Sequence, residues 1–243
     1  MSAIHVDIQD KTYAVEGRVH RAIGELRLQV ESNQFVCLVG PSGCGKTTLL
    51  NIVAGLDSHY RGQIGMRQGG PPHIGYVFQN PRLLPWYTLR RNIELVFPGP
   101  PPVALIDGLL ADMQLEEVQH VYPERLSLGM QRRAAIIRAF AINPDILLMD
   151  EPFVSLDAPS ARQIRSLLYS LWLQRPHTVL FVSHDLREAI ALADRLVFLS
   201  AAPMRVVGDI PVGIARDQRN DASKIEGFRE HLLRNFPDIN QLL

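Results

Sequence analysis

Lysine is almost missing from this sequence of 243 residues: it occurs only as Lys11, Lys46 and Lys224. Cysteine is rarer still. Cys37 lies in an apolar run and Cys44 in a glycine-rich loop, a poor pair for a bridge, so a reducing compartment is the expectation. There is no net charge either, 25 Lys and Arg balancing 25 Asp and Glu, which argues against a nucleic-acid binder built on a uniformly basic surface. Apolar runs fall far short of the roughly 20 residues a membrane helix needs. The start "MSAIHVDIQDKTYAV" also lacks a basic segment leading into an apolar one, so the expected chain neither spans a membrane nor is exported. Repeats and low-complexity tracts are absent apart from a Pro-Gly cluster at 98–102. What is present is 47% hydrophobic, enough to bury roughly 70% of the unfolded surface in one large domain or two small ones.

Residues 4–38 alternate apolar and polar in short pieces, "IHVDI" and "LRLQV", which predicts antiparallel strands with one wet face. "FVCLV" reads as a buried strand, and "KTTLLNIVAGL" has helical spacing with Leu49, Ile52, Val53 and Leu56 on one face and Gly55 near the end. A proline-punctuated stretch from Pro81 to Pro102 opens a mainly helical insert that includes "VALIDGLLADMQLEEV" and "QRRAAIIRAFAI". "DILLMDEP" and "TVLFVSHD" have the pattern of central parallel strands whose carboxyl ends carry chemistry, and "RLVFLS" repeats it without the acid.

Between the first buried strand and its helix, Gly40-Pro41-Ser42-Gly43-Cys44-Gly45-Lys46-Thr47-Thr48 fits G-x-x-x-x-G-K-[ST] in full. Glycines let successive backbone N–H groups turn inward onto phosphate oxygens, and the helix N-terminus adds partial positive charge. Lys46 then reaches the β- and γ-phosphates as a compact point charge in a chain that otherwise prefers arginine, and the Thr47 hydroxyl is a ligand for Mg²⁺. Further on, Asp150 at the end of "ILLMD" can hold Mg²⁺ through water, and Glu151 can act as general base on the attacking water; the plain alternative is a solvated Asp-Glu turn. "LSLGMQRRAAIIRAF" places Ser127 and Gly129 at another helix start, a second anion-receptive terminus in a chain that already has one, which points to service for a partner copy.

With these motifs in order over residues 4–210, the sequence resembles the ATP-binding subunits of ABC transporters. The resemblance implies a P-loop NTPase (RecA-like) α/β core with a parallel central sheet, an N-terminal antiparallel β subdomain and a helical signature subdomain at about 81–143. An ABC ATPase domain would occupy 1–210, followed by a tail at 211–243. It also implies ATP and Mg²⁺ as ligands, a second ATPase subunit in a head-to-tail dimer, transmembrane permease subunits, indirectly a periplasmic solute-binding protein, and a peripheral place on the cytoplasmic face of the inner membrane.

Carried onto this sequence, the resemblance makes Tyr13 the aromatic that stacks on adenine, against the plainer reading of a surface tyrosine. Gln79 in "YVFQN" matches the residue that senses Mg²⁺ and water, and Ser127 and Gly129 match the signature that touches the γ-phosphate across the dimer. Asp157 in "SLD" matches the loop aligning the two halves, and His184 in "FVSHD" the switch histidine. Where the family signature usually reads Leu-Ser-Gly-Gly, this chain has Leu128 as the third residue. That side chain either crowds the partner's ATP or points away, and retained but slower hydrolysis is the expectation.

Leu83, Leu84, Trp86 and Tyr87 line a groove for a membrane-subunit helix in the resembled fold, or else pack the insert. This stretch, together with "DEPFVSLD" and "RLVFLSAAP", is most similar to importers of the nitrate, sulfonate and taurine type, with thiamine-precursor or pyrimidine importers as the alternative. A DNA-clamp ATPase would need a long coiled coil between the phosphate loop and the signature; the gap here is only about eighty residues without sustained heptads. A regulatory binder is motivated by Leu128 alone, and the Asn-Lys-x-Asp motif of small GTPases is absent. In the tail, "SKIEGFREHLLRNF" places Ile225, Phe228, Leu232 and Phe236 on one helical face.

Overall fold

Alternation does build strands at the N-terminus. The computed structural model of the chain describes residues 2–15, 18–66 and 72–240. In it, β1 (Ser2–Val15) pairs antiparallel with β2 (Arg18–Ile23), with β3 (Leu26–Glu31) and with a later strand, while β3 alternates buried and exposed along its length. One face is therefore apolar and the other wet. β4 (Phe35–Val39) is buried at every residue, leads through the glycine loop into α1 (Lys46–Val53), and is followed by β5 (Arg61–Met66), the remaining partner of β1.

α1 stops earlier than its apolar spacing predicts. Gly55 adopts φ 72°, its amide bonds the Ile52 carbonyl and the Leu56 amide bonds that of Asn51, the paired bonds of a Schellman turn. Leu56 thus lies beyond the helix and is 63% exposed rather than on the buried face. The same device ends the helix expected over "VALIDGLLADMQLEEV", with Gln114 in the left-handed conformation at φ 55° and the Leu115 amide on the Leu110 carbonyl.

Two bodies make up the chain, Met1–Pro71 with Thr178–Leu243, and Pro72–His177. The second contains β6 (Ile74–Val77), α2 (Leu89–Glu94), α3 (Val103–Asp112), α4 (Leu128–Ala141), β7 (Ile146–Asp150) and α5 (Ala158–Gln174), with β6 and β7 parallel. The first body resumes with β8 (Thr178–Val182), α6 (Leu186–Leu192), β9 (Arg195–Leu199), β10 (Val206–Pro211) and α7 (Ala222–Asn235). β4 lies between β8 and β9, parallel to both, and β10 runs antiparallel to β9. Being covered on both faces, β4 and β8 are continuous apolar runs, and Phe35 meets Phe181 edge to face at 5.6 Å, worth about 1 kcal/mol beyond burial. The fold is α/β, with parallel strands in both bodies and an antiparallel β layer at the N-terminus.

Past residue 210 the chain stays with the first body. Arg216 and Arg219 pair with Asp194, and Arg187 of α6 reaches Glu226 of α7 at 2.7 Å. Leu232 is buried and Ile225 and Phe228 are half-buried, as the helical face predicts, but Phe236 falls at the cap of α7 and is exposed. Among the described residues, no helix is long and apolar enough to cross a membrane.

Candidate functional site

The glycine loop sits where a strand gives way to a helix, and the packing around it explains its composition. A Cβ on Gly40 would stand 2.9 Å from the Leu199 carbonyl oxygen, so only glycine lets the loop leave β4 so close to β9. Gly43 and Gly45 take φ of 76° and 110°, the region L side chains avoid. As N-cap of α1, Gly45 has no side chain to cap the helix, so a ligand can approach this helix start without displacing a capping side chain. Lys46 is only 5% exposed and folds back over the loop, its Nζ donating to the carbonyls of Gly40 at 2.7 Å and Pro41 at 2.9 Å. Pro41 is half-buried, Ser42 and Thr47 are exposed and Thr48 is half-buried. Cys44 is buried, and burial pushes its thiol up despite the Lys46 charge; Cys37 behind it is buried and raised well above the ordinary value. Both are free thiols.

In the same body, Tyr13 lies beside the start of α1, 37% exposed, its hydroxyl 3.1 Å from Thr48 Oγ1 and 3.3 Å from Asp57 Oδ2. His184 follows β8 and is exposed, in a turn fixed on either side. The Ser183 hydroxyl accepts the Asp185 amide at 3.0 Å, and Asp185 caps α6 by accepting the amides of Arg187 and Glu188.

The second body holds the remaining residues. Gln79 is exposed in the loop after β6, next to Phe78, whose ring stacks on Tyr76 at 4.1 Å and carries the Arg82 guanidinium at 4.0 Å. Asp150 closes β7 and is buried; burial first, and then the Asp150 carboxylate, push the Tyr76 phenol far up. Glu151 follows at φ 44°. Ser127 caps α4, its Oγ accepting the Met130 amide at 3.2 Å, and Gly129 lies in the first turn. Asp157 caps α5 by accepting the Ser160 amide, and hydrogen bonds from the Ser160 hydroxyl and then its amide hold the Asp157 carboxyl below the usual range. Ser127, Leu128, Gly129, Ser155 and Asp157 line one cavity of about 250 Å³, into which Leu128 brings an exposed apolar side chain.

Arg132 was not singled out by sequence reasoning. It is buried, and Nη1 donates to the carbonyls of Glu151 at 3.2 Å and Pro152 at 2.8 Å, fixing the turn behind β7. The signal was spacing: Arg132 shares the helical face of Ala135, Ile136 and Ala139, all buried.

In the insert, Trp86 is 66% exposed at the tip of a loop, with Leu83, Leu84 and Tyr87 half-buried beneath it. Asn92 is fully buried below that loop. Its Oδ1 accepts the Leu84 amide at 2.7 Å, and its Nδ2 donates to the carbonyls of Leu84, Tyr87 and Thr88 at 3.0–3.1 Å.

A phosphate loop closing on a buried strand, and a capped serine-glycine helix start in the second body, define a nucleotide-handling ATPase. The family model for "ABC transporter" matches residues 23–154, and the chain belongs to that family of ATP-binding cassettes, ATPases coupled to transport. It is 35% identical to the aliphatic sulfonates import ATP-binding protein SsuB of Bacillus subtilis, over 99% of this chain and 96% of that one. It is 36% identical to the nitrate import ATP-binding protein NrtD of Synechococcus elongatus, over 85% of this chain and 80% of that one. Among solved structures, the dimeric ATP-binding cassette MJ0796 in a post-hydrolysis state with ADP and Pi matches with TM-score 0.76 and 28% identity, covering 87% of this chain and 100% of that one.

Proposed function

We propose that this chain is the ATP-hydrolysing subunit of an importer for a small solute such as nitrate, a sulfonate or taurine, working peripherally at the cytoplasmic face of the inner membrane. The observation that carries the hydrolytic part is the phosphate loop, with its left-handed glycines, a glycine at the N-cap of α1 and Lys46 folded over it. The solute rests on the names of the sulfonate and nitrate relatives, aligned over most of the chain.

ATP lies with its triphosphate on the loop, and Lys46 exchanges the carbonyls of Gly40 and Pro41 for phosphate oxygens. A second copy, head to tail, covers the γ-phosphate with Ser127 and Gly129, and Asp157 aligns the halves. Glu151 takes a proton from water as the water oxygen attacks the γ-phosphorus; the bond to the β–γ bridging oxygen breaks and ADP leaves. His184 and Lys46 meet the charge that develops on the γ-phosphoryl group. Hydroxyl, carboxylate and amide oxygens from Thr47, Asp150 and Gln79 are the hard donors that suit Mg²⁺, which when bound offsets the phosphate charge. The loop carrying Trp86 docks on a permease subunit, which an external solute-binding protein loads.

Glu151→Gln is the test. The variant is expected to bind Mg-ATP as the parent does, to hydrolyse it on the order of a hundredfold more slowly, and to accumulate as an ATP-bound dimer on size exclusion. Parental turnover in that variant overturns the base assignment. For the solute, a strain lacking the gene is expected to fail on one of nitrate, a sulfonate or taurine as sole nitrogen or sulfur source; growth on all three removes the solute reading.

A further inference from the structure

Tyr13 is not a loose surface ring. It follows an irregularity in the pairing of β1 with β2, between Lys11 and Thr12, which re-aims the side chains around it. Beneath it lies Lys11, 3% exposed, one of three lysines in a chain that mostly uses arginine, with Nζ 4.4 Å from the ring centroid. The ammonium donates to Asp57 Oδ1 at 2.9 Å and to the His59 carbonyl at 2.8 Å, and lies 2.7 Å from Asp57 Oδ2. Burial alone would raise the Asp57 carboxyl, but the Lys11 ammonium, the His59 amide and the Tyr13 hydroxyl outweigh it and hold it below the usual value. An ionised carboxylate only accepts, so the single Tyr13 proton goes to Asp57 and the Thr48 hydroxyl donates to Tyr13. The result is a continuous chain from Lys11 through Asp57 and Tyr13 to the first turn of α1.

Resting on the nucleotide reading above, we propose that Lys11 and Asp57 are positioning residues for base recognition, locking the Tyr13 ring to the phosphate-loop helix with one face on a buried cation and the other open to a nucleobase. The cation draws on the π density of the ring, so the open face meets an electron-rich purine with less repulsion. The bond to Thr48 sets the ring at a fixed distance from the loop that holds the triphosphate. The base and the phosphates are thereby read by one rigid unit.

Because the chain of contacts acts on the base and not on the phosphates, ATP and inorganic triphosphate separate the proposal from a general structural effect. Isothermal titration of the full chain with each ligand in Mg²⁺ gives the ratio of their dissociation constants. In Lys11→Met, ATP affinity is expected to fall about tenfold while triphosphate affinity stays within about twofold of the parent. Lys11→Arg, which keeps a cation under the ring, is expected to restore the parental ratio. If Lys11→Met does not fold, Tyr13→Phe keeps the ring, cuts the link from Asp57 to Thr48, and is expected to lose ATP selectively. A ratio unchanged from the parent in these variants overturns the positioning role and leaves the nucleotide reading standing. A parent chain that binds neither ligand removes both.

Discussion

Around Lys46 the left-handed backbone falls on glycine, at Gly43 and Gly45, whereas behind β7 it falls on Glu151 (φ 44°) and Ser155 (φ 62°), with no glycine between Asp150 and Asp157. A left-handed non-glycine residue costs roughly 1 kcal/mol, and something outside the turn must hold it there. Arg132 does so, from α4, through the carbonyls of Glu151 and Pro152. One loop gets its shape from local composition, the other from a long-range clamp. Where a carboxyl must stand in the turn, glycine is not available at that position, and shape has to be imposed from elsewhere.

Breaking the clamp should have the largest effect. Arg132→Ala removes a buried guanidinium and two charge-assisted bonds, and is expected to cost roughly 3 kcal/mol in urea unfolding. With Glu151 as the proposed base, steady-state hydrolysis should fall on the order of tenfold or more while Mg-ATP still binds. Equal loss of binding and turnover would mean that the two loops are not separately built. Next comes Gly40→Ala, whose Cβ meets the Leu199 carbonyl and Leu199 Cβ at 2.9 and 3.1 Å. It should cost about 1–3 kcal/mol by overpacking and should abolish triphosphate binding, the reverse of the Arg132 pattern.

The smallest expected effect is in pH. In the second body His177 is buried, and its Nε2 has no partner among the described residues; burial, against a bond to the Arg175 carbonyl, holds its pKa below 6.5. A base depressed in the folded state contributes fully above its unfolded pKa, and stability is lost as pH falls below about 6.5, where the unfolded chain takes up a proton first. Asp57 in the first body is a depressed acid, so its contribution is present above 3.8 and is lost only as pH falls through its lower folded value. Unfolding midpoints between pH 7.5 and 5.5 should therefore slope less in His177→Phe than in the parent, and unchanged slopes would place the sensitivity elsewhere.

This contrast also governs what could be read from the sequence. The phosphate loop, the buried strands β4, β7 and β8 and the Ser127 cap were legible because each is written in neighbouring residues, as spacing, apolar run or capping side chain. Leu56 was misplaced because a Schellman turn at Gly55 depends on where the helix stops, and periodicity alone continues past it. Arg132 and the chain from Lys11 to Thr48 were illegible for a different reason: each joins residues 19 to 46 apart, and only folding brings such partners into reach.

Asn92 has a practical corollary. Both tryptophans are in the body that contains it, Trp172 sealed inside with its indole N–H on the His177 carbonyl, and Trp86 standing in solvent on a loop that the buried amide stiffens. Of the two tryptophans, aqueous quenchers such as iodide therefore address one, and the molecule carries its own optical gauge of whatever settles on that tip.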